Sequence, residues 1–271
     1  MIKAIVIGAA GRMGHMIINA IDQAEGIELA GGTEQKGHPS VGKDIGEVNG
    51  LGTLGIPVAE DLESIVSDSD VIIDFTVPRV SLNNLKIASE NNKAIIIGTT
   101  GFSDEEKEKI KTIAKTARCI LAPNMSVGVN LMFKLVEEVT EIIGKDYDIE
   151  LVEAHHRLKK DAPSGTAVKL AEIIADVLKR DLNKVGVFGR KGIIGERSDE
   201  EIGIQTIRGG DVVGEHTVMY LGGGERIEIT HKAHSRDNFA RGAVRAALWV
   251  VSQEPGLYDM QDVLGLKKRR D

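Results

Sequence analysis

The chain has 271 residues, of which 42% are hydrophobic and only 3% aromatic, and its formal net charge is −7. That length holds one large domain or two ordinary ones, with a core of Val, Ile, Leu and Ala of the kind used by parallel strands covered by helices. An acidic chain has no overall attraction for nucleic acid or anionic lipid, no apolar run reaches membrane-spanning length, and the single cysteine, Cys119, excludes an intrachain disulfide.

Residues 2–7 read as a strand, entered directly with no leader pattern, so a cytoplasmic setting is expected. A helix is predicted over 12–24 and a second strand over 27–31. After a glycine-rich loop, Asp61 is placed to cap a short helix through Val66. A strand follows at 70–75, a helix at 80–91 and a strand at 93–97. Ser103 caps a helix to Lys115, with Glu106 three residues later completing a capping box. A strand at 118–121, with Cys119 as a packed core residue, closes the alternation. Strands alternating with helices predict a parallel sheet with right-handed crossovers.

The pattern then changes. A long helix is predicted over 127–143, a strand over 148–155 and a helix over 166–178. Three strand-like runs follow at 203–208, 212–221 and 226–231, separated by Gly209-Gly210-Asp211 and Gly222-Gly223-Gly224. Those spacers read as hairpin turns, which predicts an antiparallel meander. A helix over 237–252 is expected to return to the first domain. The fold expected is α/β. Residues 1–126 with 236–271 form a Rossmann-type, doubly wound parallel sheet. Residues 127–235 form a second mixed α/β domain with an open, largely antiparallel sheet. The run Lys267-Lys268-Arg269-Arg270 reads as a solvated tail.

Gly8, Gly11 and Gly14 form G-x-x-G-x-x-G directly after the first strand. In such a loop the first glycine permits the tight turn, the second lets the backbone approach a pyrophosphate, and the third lets helix and sheet pack closely. Ala10 stands where the strict pattern has its second glycine, which weakens the match. Glu34, 20 residues after Gly14, is placed to accept hydrogen bonds from ribose hydroxyls. It disfavours a 2′-phosphate, which Lys36 and Arg12 partly offset. NADH is therefore expected to bind, with NADPH still open. Three more loops leave strand ends, at Phe75-Thr76-Val77, Gly98-Thr99-Thr100-Gly101 and Ala122-Pro123-Asn124-Met125. Ligands on open α/β sheets bind along this edge. His15, with no visible partner, reads as structural.

The densest chemistry lies at Glu153-Ala154-His155-His156-Arg157-Leu158-Lys159-Lys160-Asp161-Ala162-Pro163-Ser164-Gly165-Thr166-Ala167. Imidazole and ammonium groups donate protons near neutral pH. Ser164 is placed as an N-cap, so Gly165 and Thr166 turn their N–H groups toward an anion. A zinc site lacks support, because no H-x₃-H or C-x₂-C spacing occurs, and no metal is expected. His216, His231 and His234 read as structural or surface residues. The expectation is that the imidazole–ammonium cluster faces a nicotinamide ring across a cleft.

These motifs together resemble the 4-hydroxy-tetrahydrodipicolinate reductase family, also called dihydrodipicolinate reductase. The resemblance rests on residues 8–14, Asp74-Phe75-Thr76, residues 98–101, residues 122–126, and the His-His/Lys-Lys-Asp-Ala-Pro-Ser-Gly-Thr segment. It implies reduction of a small cyclic dicarboxylate by NADH or NADPH in the diaminopimelate route to lysine. By that resemblance His155 is a proton donor or acceptor, Lys159 is a proton donor, and His156, Gly165 and Thr166 bind substrate. The cofactor contacts it implies are Gly8, Ala9, Ala10, Gly11, Arg12, Met13, Glu34, Gly98, Thr99, Thr100, Ala122, Pro123, Asn124 and Met125. It further implies a homotetramer formed through the second domain's sheet. Gln35 stands where the family often has Arg, which puts NADPH preference in doubt. Two alternatives remain: another two-domain Rossmann oxidoreductase acting on an amino acid or sugar, and a non-catalytic NADH sensor.

Overall fold

The structure is a computed structural model, and it describes residues 1–267. All but the first residue of the basic run at 267–270 lies outside the described residues. Lys267 itself is paired, 2.5 Å from Asp262. The chain divides into two compact units, Met1–Val127 with the chain from Asp237 onward, and Gly128–Arg236.

The first unit begins with β1 (Ile2–Ile7), α1 (Arg12–Asp22), β2 (Ile27–Thr33), α2 (Ile45–Asn49), β3 (Val71–Asp74), α3 (Pro78–Glu90), β4 (Ala94–Ile97), α4 (Asp104–Ile113) and β5 (Arg118–Leu121). The chain continues through α5 (Val127–Ile143), β6 (Asp148–His155), α6 (Gly165–Leu178), α7 (Leu182–Val185), β7 (Gly186–Val187), β8 (Ile202–Arg208), β9 (Gly214–Leu221) and β10 (Arg226–Ala233). It ends with α8 (Asp237–Val250), β11 (Gly256–Tyr258) and α9 (Met260–Val263).

Six strands make the first sheet in the order β2-β1-β3-β4-β5-β11, all in parallel. The order in which the chain adds strands reverses between β1 and β3, the switch point at which doubly wound sheets bind ligands. The central strands β3 and β4 are buried along their whole length, as a sheet covered on both sides requires. Ala4, Val6, Ile73 and Ile96 pack on one side with Ile17, Ile18, Ala243 and Ala247 from α1 and α8. Ile5, Ile72, Ile95 and Cys119 pack on the other with Leu85 and Ile110 from α3 and α4. Ser103 caps α4, and the box with Glu106 forms.

The stretch after Asp61 makes no α-helix. It is a turn followed by a short 3₁₀ segment, Val66–Asp68, although Asp61 Oδ1 does accept from Ser64 N at 2.8 Å. So few residues gain too few internal bonds to propagate an α-helix, and burial of Leu62 and Val66 decides their path. The glycine-rich loop before it contains α2, nucleated by Asp44. That carboxylate accepts from the N–H groups of Gly46, Glu47, Leu54, Gly55 and Ile56.

The second unit's sheet has the order β10-β9-β6-β8-β7. The β9–β10 and β6–β9 ladders are antiparallel, and β6–β8 and β7–β8 are parallel. The predicted meander is therefore only half present. β9 and β10 form a hairpin, but β8 and β9 lie on opposite sides of β6. Gly209-Gly210 is not a hairpin turn; it arches over the end of β6, where Gly209 N donates to His155 O and Arg157 N to Gly210 O. The reason is burial: β6 alternates buried with half-buried positions and gains a neighbour on each side as the central strand. Ile149, Leu151, Val218 and Tyr220 then share a core with Leu170, Ala171 and Ile174 of α6.

Gly14 is one of the tightest demands in the first unit. A Cβ there would stand 2.0 Å from Gly8 O, inside the backbone of the loop after β1. Gly14→Ala is expected to destabilise that unit by about 1–3 kcal/mol, read as a lower urea midpoint. An unchanged midpoint would show that the loop can yield.

Candidate active site

In the first unit the strand ends lie in one row. Ile7 is in register with Thr33 and Asp74, Asp74 with Ile97, and Ile97 with Leu121. Residues 8–13, Glu34, residues 98–100 and residues 122–125 therefore leave the sheet along one edge. Gly8 turns the chain with φ +70°, and Gly11 N closes the turn on Gly8 O at 2.9 Å. Gly11 begins α1 without a side-chain cap, and His15 N is the first to bond back, to Gly11 O. The N–H groups of Arg12, Met13 and Gly14 thus face past the helix end, with no acidic side chain in the first turn. This end fits a pyrophosphate. Glu34 Oε1 accepts from Ala10 N at 2.9 Å, and Oε2 accepts from Gln35 N at 3.3 Å. The carboxylate is held against the glycine loop, at the position from which it can take ribose hydroxyls.

The remaining edge loops act mainly through their backbone. Ala9, Thr99, Ala122 and Met125 are buried, whereas Thr100 and Pro123 are exposed. Thr99 Oγ1 accepts from Thr76 N at 3.0 Å and bonds Ser81 Oγ at 2.7 Å, joining the loops after β3 and β4. Gly98 lies under the Phe75 ring, which a Cβ would meet at 2.2 Å. Asn124 Oδ1 accepts from Ser126 N at 2.9 Å. Asp74 is fully buried and accepts from Thr76 N, Thr76 Oγ1 and Asn84 Nδ2. Burial raises its pKa against those hydrogen bonds. His15 ties α1 to α2 through Asn49 Oδ1 at 3.2 Å.

The second unit's chemistry centres on a residue to which the sequence reading gave no role. Glu153 has 0% exposure. Its Oε2 accepts from His155 Nδ1 at 2.6 Å, and its Oε1 from Ser164 N at 3.0 Å and Thr206 Oγ1 at 3.2 Å. Arg208 grips both oxygens at 2.8 Å, a bidentate fork. Burial alone would raise the carboxyl pKa. Arg208, His155 and the Ser164 N–H outweigh it and hold it at about 2.

His155 and Ser164 are thus brought together on one carboxylate. Burial lowers the His155 pKa, with Glu153 opposing and Lys159 and Arg208 assisting. His216 packs edge-on against His155, ring centroids 5.2 Å apart, and its Nε2 shares a 2.9 Å hydrogen bond with Ser164 Oγ. Ser164 caps α6 through Ala167 N. Gly165 is exposed at the first helical position, and a Cβ there would meet nothing within 4 Å. Thr166 and His156 are half-buried, and His156 lies one residue beyond β6. Lys159 is held to Asp161 at 2.9 Å rather than to the carboxylate of Glu153. No group of three or more His, Cys, Asp or Glu among the described residues could hold a metal ion. No helix among them is long and apolar enough to cross a membrane.

Glu153 did leave a signal in the sequence. It follows Ile149 and Leu151 at strand spacing, so it interrupts an inward-facing row, and His155 shares its face. Arg208, Thr206 and His216 reach the site only through the order of strands around β6.

A nucleotide-type sheet in one unit and a carboxylate-held imidazole in the other define a class, the two-unit nicotinamide-dependent oxidoreductases. The family model "Dihydrodipicolinate reductase, N-terminus" matches residues 2–125, and "Dihydrodipicolinate reductase, C-terminus" matches residues 128–264. The 4-hydroxy-tetrahydrodipicolinate reductase of Geotalea uraniireducens (strain Rf4) is 58% identical over 98% of this chain and 100% of its own. Dipicolinate-bound dihydrodipicolinate reductase from Paenisporosarcina sp. TG-14 superposes with TM-score 0.76 at 27% identity, over 97% of this chain and 98% of that one. An amine dehydrogenase from Mycobacterium smegmatis, at 13% identity, TM-score 0.64 and 99% and 97% coverage, shares the fold alone. The chain belongs to the dihydrodipicolinate reductase family and is an NAD(P)H-dependent oxidoreductase.

Burial, then the neighbouring His155, pushes the His216 pKa down to about 3. A histidine near 6.5 when unfolded and near 3 when folded takes up its proton first in the unfolded chain. Its contribution to stability is complete above about pH 6.5 and is lost as pH falls from there toward 3. The His216 ring signals are expected to stay fixed in NMR spectra from pH 8 to 5; titration within that range would contradict the burial argument.

Proposed function

We propose that His155 and Lys159 manage the proton, and that the opening turn of α6 holds a carboxylate, in the family's reduction of 4-hydroxy-tetrahydrodipicolinate to tetrahydrodipicolinate. One observation carries this reading: Glu153 holds His155 with one oxygen and Ser164 N with the other. The proton-handling ring and the anion-binding turn are fixed by a single buried group.

NAD(P)H, when bound, supplies the hydride. Hydride added to a carbon conjugated with an imine leaves negative charge on the substrate, and an acid must neutralise it. A lysine is cationic at neutral pH, so Lys159 is the donor, its charge shared with Asp161 at rest. His155, with its pKa lowered by burial, is neutral near pH 7 and takes or returns a proton. Gly165 and Thr166 at the start of α6, with His156, bind a substrate carboxylate, and Gly165 leaves room for it. The α1 end and Glu34 hold the dinucleotide. Glu34 favours NADH by repelling a 2′-phosphate, with Arg12 and Lys36 partly compensating.

We read the enzyme as cytoplasmic and as a homotetramer joined through the second unit's sheet. On the face turned from α6, Ile207 is exposed and Val152 and Met219 are half-buried. Arg190 and Arg197 pin the exposed Ile193 and Ile194 segment to Glu150 and Asp148 of β6.

The test couples pyruvate and aspartate semialdehyde through the upstream synthase, adds this protein, and follows loss of NADH and NADPH side by side. Both should be consumed, NADH at the lower KM. His155→Asn and Lys159→Met should each lower kcat by about 10²–10⁴, with dinucleotide affinity retained. Full activity in both variants would reject the assignment, and light scattering at any mass other than four subunits would reject the tetramer.

A further inference from the structure

We infer that Glu153 is a positioning residue: it fixes His155 with its proton on Nδ1, so that Nε2 is the nitrogen offered to substrate. The inference rests on the reading that His155 handles a proton, and it adds which atom does so and what decides that. An ionised carboxylate only accepts hydrogen bonds, so the imidazole nitrogen facing it must carry hydrogen. That nitrogen is Nδ1, 2.6 Å from Glu153 Oε2. In the neutral ring Nε2 is then a bare acceptor. The opposite tautomer would point a lone pair at a buried anion.

The surroundings of both atoms fit this role. Arg208 holds both carboxylate oxygens in a fork, while Ser164 N and Thr206 Oγ1 bind Oε1. The carboxylate can neither rotate away from His155 nor readily take a proton. Gly214, the first residue of β9, lies beside the ring, and a Cβ there would stand 3.0 Å from Nε2. The missing side chain keeps the space before Nε2 clear.

Four groups act electrostatically on the ring or touch it: Glu153 on the same strand, Lys159 in the loop that follows, Arg208 on β8 and His216 on β9. Glu153 alone is anionic. It is the one group of the four that favours the imidazolium, so its removal must make the ring harder to protonate.

The first measurement needs no substrate, so failure of the proposed reaction leaves it interpretable. In ¹⁵N-histidine-labelled wild-type protein at pH 7.5, His155 should show a protonated Nδ1 and an unprotonated Nε2; the reverse pattern overturns the inference. The second measurement is a double-mutant cycle of Glu153→Gln with His155→Asn. Glu153→Gln alone should lower kcat by about a hundredfold or more, as expected when the wrong tautomer is favoured. It should also leave the KM for NADH within about twofold and move the acid limb of the pH profile to lower pH. Added to His155→Asn, it should change kcat by less than about threefold. An equal loss in both backgrounds, or an unmoved pH profile, would make Glu153 a purely structural anchor. If Glu153→Gln does not fold, the wild-type tautomer decides.

Discussion

A carboxylate shut away from water at the end of β6 governs the second unit. Left alone there, Glu153 would shed its charge by taking a proton. It keeps that charge because hydrogens from four residues converge on its two oxygens. Removing one partner of such a pair typically costs about 3–5 kcal/mol, so the local topology is strongly constrained. β8 must run parallel beside β6 for Arg208 to arrive, and β9 must lie on the other flank for His216 to reach Ser164. The Gly209-Gly210 arch exists because the chain has to cross the end of β6 to connect them.

The first unit solves its problem by leaving things out. Backbone groups shape much of the edge where β1 through β5 end. The loop after β1 is shaped by the lack of side chains at Gly8, Gly11 and Gly14, and α1 starts with its N–H groups unspent. The one carboxylate at that loop, Glu34, is anchored to Ala10 N and so already tracks the backbone it serves. A helix end and main-chain donors suit a diphosphate, whose charge is spread over many oxygens. A buried, charged fork suits the other task, holding one ring in one orientation.

Much of this was readable from residue order. The alternation of strands with helices set the first sheet, because its periodicities are local. The Ser103–Glu106 box and the start of α4 followed from four residues. β6 was legible for the same reason, and so were the lysine and histidines at its end. What failed depended on distant pairing. Gly209-Gly210-Asp211 looks like a hairpin turn, and nothing nearby in sequence reveals that β6 comes between β8 and β9. The role of Arg208 was hidden with it. α2 is not legible locally because Asp44 gathers donors from ten and more positions ahead. The short stretch after Asp61 shows the opposite limit, since a cap was present but too little chain remained to follow it.

The interleaving of the two units bears on how the polypeptide is made. The second unit is one uninterrupted length, Gly128–Arg236, so all its strands are synthesised before α8. The first unit is older in the order of synthesis yet finishes later. Its sheet lacks the edge strand β11, and one of its apolar faces lacks Ala240, Ala243, Ala246 and Ala247, until the last few dozen codons are read. During that interval the nascent sheet carries bare isoleucines on one side and an unpaired β5 edge, which is the moment in this protein's life when aggregation competes most directly with folding.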